Sequence, residues 1–322
     1  MEKIIWGIIG CGNVTEVKSG PAFSKVPNSF LAAVMRRDKV KAKDYANRHQ
    51  VKKWFTDAEA LIQDTEVNAI YIATPPDSHE EYTIAALKAG KPVYVEKPMA
   101  LNSIEAQRMQ EAAERYSCKL SIAHYRRAQA KFIDIKRIID DKILGKICSV
   151  NMRMALTPTP GLAETWRVNP FISGGGLFHD LAPHQLDLLL YFFGEPVTII
   201  GNSINKSKRY QADDYVKAEI EFSNNILFNG IWDFDVSKEN EVDLCVIKGE
   251  NGNLRFSVFS DLCELTINGE TTSLLFDYLP HVQQPMIEQV VNYFLDKGPN
   301  PCSGTDAVMV MKMMDTIVAK LD

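Results

Sequence analysis

A glycine turn, two consecutive arginines and an aspartate–histidine pair are the residues of this chain whose types and spacing suit chemistry. The turn is Gly10-Cys11-Gly12-Asn13-Val14-Thr15, directly after the apolar run Ile4-Ile5-Trp6-Gly7-Ile8-Ile9. Gly10 permits a tight turn, and Gly12 lets the backbone approach a pyrophosphate. A helix starting here would offer free N–H groups and the positive end of its dipole. Thr15 replaces the third glycine of the usual pattern. A second apolar run, Phe30–Met35, ends at Arg36-Arg37-Asp38. Two guanidinium groups at this point suit the 2′-phosphate of NADP(H), by charge and by their forked donors. An acidic residue would instead bind the ribose 2′-hydroxyl of NAD(H), and Asp38 keeps that alternative open. Asp180 and His184 are four apart, so on a helix they share one face.

These groups need elements to position them, and the first half of the chain alternates strand and helix. Further apolar runs, Ala69–Ala73 and Pro92–Val95, stop at Thr74-Pro75-Pro76 and at Glu96-Lys97-Pro98. Helix-period stretches cover Asp38–His49, Glu80–Ala89 and Ser103–Tyr116. This rhythm predicts an α/β fold, a Rossmann doubly wound parallel sheet with its ligand at the carboxyl ends of the strands. Lys97 precedes a proline, which holds it extended and fixes its direction.

Three segments together resemble the Gfo/Idh/MocA oxidoreductases, the glucose–fructose oxidoreductase and inositol dehydrogenase family. They are Gly7-Ile8-Ile9-Gly10-Cys11-Gly12, Ile72-Ala73-Thr74-Pro75-Pro76-Asp77-Ser78-His79 and Ala89-Gly90-Lys91-Pro92-Val93-Tyr94-Val95-Glu96-Lys97-Pro98. A fourth match runs from Gly174-Gly175-Gly176 through His179-Asp180 to His184-Gln185-Leu186-Asp187. The resemblance implies that Lys97 is the catalytic lysine beside the nicotinamide, with a Lys97–Pro98 bond that is often cis in the family. It implies that His184 exchanges the substrate hydroxyl proton and that Asp180 orients or charges it. It places Thr74, Pro75, His79 and Glu96 beside the cofactor, with Gly10, Gly12, Asn13, Val14, Arg36 and Arg37. The segment His124-Tyr125-Arg126-Arg127 resembles the family's Asn-Arg-Arg segment, which makes Tyr125, Arg126 and Arg127 substrate candidates. Trp166 and Arg167 precede the glycine run; an aromatic and an arginine there suit stacking on, and hydrogen bonding to, a sugar or acid group. The glycines would admit substrate or nicotinamide close to backbone. His179 faces away from His184 and reads as structural. No metal is assigned: the H-x-x-x-H spacing of zinc sites does not occur, and the dehydrogenase reading uses the same residues.

After about residue 124 the pattern changes to period two. Val216, Ala218, Ile220 and Phe222 alternate with charged residues; further strands are expected at Ile226–Phe234, Val242–Ile247 and Leu254–Phe259, with a hairpin at Asn268-Gly269. The C-terminal domain is therefore expected to be α+β, with a large, mostly antiparallel open sheet. The domains are expected at 1–123 and 124–322, with the closing helix, 306–321, packing back on the Rossmann domain. By resemblance the free sheet face pairs subunits, giving a homodimer or tetramer.

Composition supports this class. The 322 residues carry a net charge of −5 without a long run of one sign, which argues against nucleic acid or a membrane surface as partner. With the first strand starting so early, no signal peptide is expected, and no apolar stretch is long enough to span a bilayer. Six scattered cysteines suggest reduced thiols, so a cytoplasmic location is expected. The function implied is hydride transfer between NAD(P) and a secondary alcohol or ketone of a sugar, sugar derivative or polyol. The alternatives are a dihydrodiol-type or other non-sugar carbonyl reductase, and a non-catalytic NAD(P)-sensing regulator.

Overall fold

Strand β1 (Ile4–Ile9) is buried along nearly its whole length, and a strand covered on both faces needs neighbours on each side. It pairs in parallel with β2 (Ser29–Met35) and β4 (Ala69–Ile72). Beyond them lie β3 (Lys53–Phe55), β5 (Val93–Val95) and β6 (Leu120–Ile122), giving the parallel order β3-β2-β1-β4-β5-β6. The chain reverses across β1, between β2 and β4, so the exits of these strands form the crevice at which such sheets bind ligands. Strands β3 (Lys53–Phe55) and β6 (Leu120–Ile122) each include a polar residue, unlike the equally short but wholly apolar β5, which is why sequence patterning passes over them. The crossover helices include α1 (Asn13–Val17), α2 (Lys39–Arg48), α3 (Ala58–Ile62), α4 (His79–Lys88) and α5 (Ser103–Arg115). Asp38, Asp57 and Asn102 cap α2, α3 and α5 by accepting backbone N–H groups, each such cap contributing about 1 kcal/mol.

The computed structural model describes residues 2–319 and falls into two compact units. The first runs to Gln129 and includes Tyr278–Val308; the second is Ala130–Asp277 with the residues from Met309 on. The sequence places the division at 123/124 and does not reveal that 278–308 returns to the first unit. In that unit Trp6, Phe23, Tyr71 and Tyr94 form a buried row, with successive ring centroids 4.8, 5.0 and 5.2 Å apart. Phe294, from the returning helix α9 (Gln284–Phe294), packs 5.6 Å from Trp6.

The second unit is built on a sheet ordered β14-β13-β12-β11-β7-β10-β9-β8. Its strands are β7 (Ile147–Ala155), β8 (Pro196–Ile204), β9 (Tyr215–Phe222), β10 (Ile226–Asp233), β11 (Val242–Gly249), β12 (Gly252–Phe256), β13 (Cys263–Ile267) and β14 (Glu270–Ser273). The β7–β10 pair is parallel and the other pairs antiparallel, the mostly antiparallel sheet expected. Asn268 and Gly269 both take positive φ in the β13–β14 turn, as a two-residue hairpin requires. Strand β12 stops at Phe256, three residues short of the expected Phe259. Helices α6 (Ala130–Asp140), α7 (Pro170–Ser173) and α8 (Leu177–Phe193) belong to this unit. Helix α8 is joined to the sheet by the Trp232 indole N–H, which donates to Gln185 over 2.7 Å. The closing helix α10 (Gly304–Val318) differs from expectation. From Met309 on it groups with the second unit, where the backbone of Ile317 lies so close to Gly201 that a Cβ there would sit 2.4 Å away. Periodicity marks a buried face on a helix but not the surface that buries it. The final residues of the expected 306–321 helix lie outside the described residues. No helix among the described residues is long and apolar enough to cross a membrane.

Candidate functional site

The site begins where β1 ends. Gly10 has φ +94°, a region that side-chain-bearing residues rarely enter. A Cβ there would lie 2.7 Å from the Thr74 nitrogen, so the exit of β1 presses against the exit of β4. The N–H groups of Gly10 and Cys11 both donate to the Met35 carbonyl, at 3.0 and 3.2 Å, tying the turn to β2 as well. Gly12 is different. It caps α1, and a Cβ on it would meet only the Gly10 carbonyl, at 3.8 Å. That open space is what close approach of a phosphate to backbone requires. Asn13 is exposed and Val14 half-buried at the start of α1. Thr15, in the third glycine's place, is fully buried; its carbonyl accepts the Tyr45 hydroxyl at 2.8 Å. The tight contact falls instead on Gly20, where a Cβ would sit 2.1 Å from the Thr15 carbonyl.

Arg36 and Arg37 flank this turn. Arg36 donates to the Cys11 carbonyl at 3.1 Å, and Arg37 is exposed. Neither forms an ion pair among the described residues. Asp38 is engaged locally: Oδ1 accepts the N–H groups of Val40 and Lys41 at 3.0 and 3.1 Å. These bonds hold its carboxyl below the usual carboxylate range.

At the exit of β5, Lys97 is half-buried and its bond to Pro98 is cis. Glu96 before it is buried. Its Oε1 accepts the Tyr71 hydroxyl at 2.5 Å and the Gln283 amide at 2.6 Å, and its Oε2 accepts the Lys97 N–H at 3.2 Å. Burial, reinforced by Glu96, pushes the Tyr71 phenol well up, so it keeps its proton and remains a donor. His79 is fully buried, with Nδ1 3.0 Å from the Pro98 carbonyl and Nε2 2.8 Å from the Thr74 carbonyl. Burial lowers its pKa while those carbonyls work in the opposite direction. It clamps the β4 exit to the turn after Lys97. Thr74 accepts the Ser78 hydroxyl at 2.8 Å, and Pro75, half-buried, leads into the next helical turn. Thus His79 and Glu96 brace the loops that carry Thr74, Pro75 and Lys97. Farther along the unit, Arg126 lies over the Tyr125 ring, 5.5 Å from its centroid, and Arg127 pairs with Asp306 at 2.9 Å.

In the second unit, Asp180 and His184 both lie on α8, one turn apart. Asp180 is in the first turn, where the helix dipole favours a carboxylate. Arg167 donates to it at 3.1 Å and lies 4.8 Å from the Trp166 ring centroid. The structure therefore brings Trp166, Arg167 and Asp180 together, with His184 on the same helix. His184 is 4% exposed, and its ring meets Phe259 edge-on at 5.6 Å. His179 is structural: a Cβ on Gly175 would lie 2.3 Å from its Nδ1. A Cβ on Gly176 would lie 2.5 Å from Ala212. The room expected for substrate at these two glycines is filled by the protein's own side chains. Among the described residues no cluster suits a metal ion.

Sequence reasoning passes over Tyr71, Gln283 and Phe259. A tyrosine inside a wholly apolar strand was a signal, because a buried phenol needs a partner. Gln283 and Phe259 sit in loops without a pattern, reached only through the fold.

Comparison with known proteins agrees with this geometry. Residues 4–124 match the model of the Gfo/Idh/MocA oxidoreductase family, NAD-binding Rossmann fold, and residues 132–255 match the Gfo/Idh/MocA C-terminal domain. Oxidoreductase P35 of Formosa agariphila is 47% identical over 318 residues, 98% of each chain. The scyllo-inositol 2-dehydrogenase (NADP(+)) of Bacillus subtilis is 27% identical over 228 residues, 69% of this chain and 61% of that one. The crystal structure of the aldose-aldose oxidoreductase from Caulobacter crescentus, complexed with glycerol, superposes with a TM-score of 0.87 at 21% identity. That match covers 98% of this chain and 96% of that chain.

One consequence concerns pH. Burial lowers the His179 pKa from 6.5 to about 4, against a smaller opposing effect of Asp315. Between these values the unfolded chain binds a proton that the folded chain does not, so stability is full above about pH 6.5 and falls as the pH drops toward 4. The loss from this residue is about 3 kcal/mol. Denaturant unfolding at pH 7 and pH 4.5 should show a clearly smaller loss for His179→Gln than for wild type; equal losses would remove His179 as the cause.

Proposed function

Because the chain belongs to the Gfo/Idh/MocA oxidoreductase family, we propose that it moves a hydride between NADP(H) and a secondary alcohol or ketone carbon of a sugar, sugar derivative or polyol. The observation that carries the cofactor reading is the exit of β1. Gly12 leaves open the space a side chain would fill, while Arg36 and Arg37 stand beside the turn without acid partners among the described residues. In this reading the Gly10–Val14 turn holds the pyrophosphate and the two guanidinium groups meet a 2′-phosphate. Asp38, whose Oδ1 caps α2, is a poor ligand for a ribose hydroxyl, which disfavours NAD(H).

When bound, the nicotinamide supplies the hydride donor or acceptor, and the protein supplies position and proton transfer. Lys97 takes the hydroxyl proton during oxidation and returns it to the nascent alkoxide during reduction. Its backbone direction is set by the buried Glu96, through the 3.2 Å bond to the Lys97 N–H, and by Pro98. In the second unit, His184 is the proposed partner for a substrate hydroxyl proton, and Asp180, held by Arg167, contributes negative charge one helical turn away. Trp166, Arg167, Tyr125, Arg126 and Arg127 remain the proposed substrate contacts. The names of relatives support the substrate class: they include inositol dehydrogenases and a 1,5-anhydro-D-fructose reductase.

Self-association belongs to the same proposal. Ile200, Ile204 and Leu227 project from one face of the β8–β10 part of the sheet and are 66%, 46% and 52% exposed. Between them on that face β9 carries Lys217, Glu219 and Glu221, so a second copy would meet a mixed apolar and charged surface. Sedimentation should show a dimer or tetramer that Ile200→Lys with Leu227→Lys converts toward monomer; a monomeric wild type would refute it.

The catalytic assignment is tested with Lys97→Met. Turnover of NADP(H) with the best cyclic polyol should fall by about 10²–10⁴-fold, while NADPH binding, followed by fluorescence, stays within about threefold. Near-normal turnover would remove Lys97 from the reaction.

A further inference from the structure

Strand β12 ends at Phe256, and the chain does not continue to β13 as a loose hairpin. Residues 257–262 form a tight loop fixed from two sides by charged side chains. From β11, Asp243 accepts the Ser257 hydroxyl, the Val258 N–H at 3.2 Å and the Phe259 N–H at 2.6 Å. From α6, the buried Lys131 donates to the carbonyls of Ser257 and Ser260 at 2.7 and 2.8 Å. Ser257, itself 1% exposed, closes the loop by accepting the Ser260 N–H at 2.9 Å. Burying an ammonium and spending a carboxylate on three donors is costly unless the groups are well paired. Here the pairing fixes a six-residue loop.

At the head of that loop is Phe259. Its ring meets the His184 imidazole edge-on, with centroids 5.6 Å apart and planes at 77°, and the residue is 37% exposed. The loop thus holds a partly exposed aromatic residue beside the histidine assigned to the substrate hydroxyl. All of these residues lie within the second unit.

Resting on the oxidoreductase reading above, we propose that Phe259 is a specificity-determining residue whose exposed ring receives the C–H face of a cyclic polyhydroxylated substrate, and that Asp243 and Lys131 are positioning residues that hold it there. A pyranose or cyclitol ring carries hydroxyls at its edge and C–H groups on its face. Hydroxyl groups suit hydrogen bonding to an imidazole, and a C–H face suits packing on a phenyl ring. An open-chain polyol has no such face and gains little from Phe259.

The test is steady-state kinetics of the full-length protein with NADP(H), using myo-inositol, D-glucose and levoglucosan as cyclic probes and glycerol as the acyclic one. Phe259→Ala should raise KM for the best cyclic probe about tenfold or more, the scale of one lost apolar contact in a pocket. It should leave kcat within about threefold and NADPH affinity unchanged, and Phe259→Trp should retain the wild-type KM. Asp243→Asn should raise KM in the same direction. In the Phe259→Ala background it should add almost nothing, because it acts only through the ring. Thermal unfolding of each variant separates this from a general loss of fold, which would lower kcat and act additively. An unchanged KM for Phe259→Ala, or additive effects in the double variant, overturns the proposal. So does a wild type that uses only the acyclic probe. A wild type inert toward every probe counts against the underlying oxidoreductase reading, and the inference falls with it.

Discussion

The contact on which the first unit's function depends is between two strand exits. Gly10 turns out of β1 with its α-carbon against the backbone of Ala73 and Thr74, and the Met35 carbonyl of β2 receives both N–H groups of the turn. Three neighbouring strands are thus locked at one level. The consequence is local: Gly12 is left facing open space, and Arg36 is drawn onto the Cys11 carbonyl. A side chain at position 10 would collide with the main chain of Ala73 and Thr74, which cannot rotate away, as well as with the Thr74 methyl. The turn is therefore rigid in the place where a dinucleotide would need it to be.

Rigidity continues along the same edge through buried polar groups. His79 joins the β4 exit to the segment after Lys97, and Glu96 gathers Tyr71, Gln283 and the Lys97 N–H around one carboxylate. Gln283 comes from the segment that returns to this unit after the second has been completed. The chain's late return thus brings a buried amide to the residue preceding the proposed catalytic lysine. In the second unit the same device recurs: Arg167 holds Asp180, and Asp243 with Lys131 holds the loop of Phe259. Lys97 and Phe259 stand on loops held by charged side chains, whereas Asp180 and His184 stand on helix α8.

Much of this was legible in the residues. The parallel sheet, the glycine turn and the shared face of Asp180 and His184 follow from patterns with fixed physical periods. The cis bond at Lys97–Pro98 and the structural role of His179 agree with the reading of the sequence. What escaped it depended on contacts between distant segments. The short strands β3 and β6 are interrupted by polar residues and leave no apolar run. The return of 278–308 leaves no mark in composition. The glycines at 175 and 176 read as room for a ligand, whereas His179 and Ala212 occupy that room. Phe259 reads as the last residue of a strand, because nothing in its neighbours reveals that Asp243 accepts its N–H.

The turn after β1 and its two arginines are proposed to seat a 2′-phosphorylated dinucleotide. Calorimetric titration of the wild type and of an Arg36→Ala, Arg37→Ala double variant with NADPH and NADH tests this most directly. The account predicts that the wild type binds NADPH about tenfold or more tightly than NADH, as one charge-assisted contact would give, and that the double variant loses this difference while still binding NADH. Equal or weaker binding of NADPH by the wild type would contradict it.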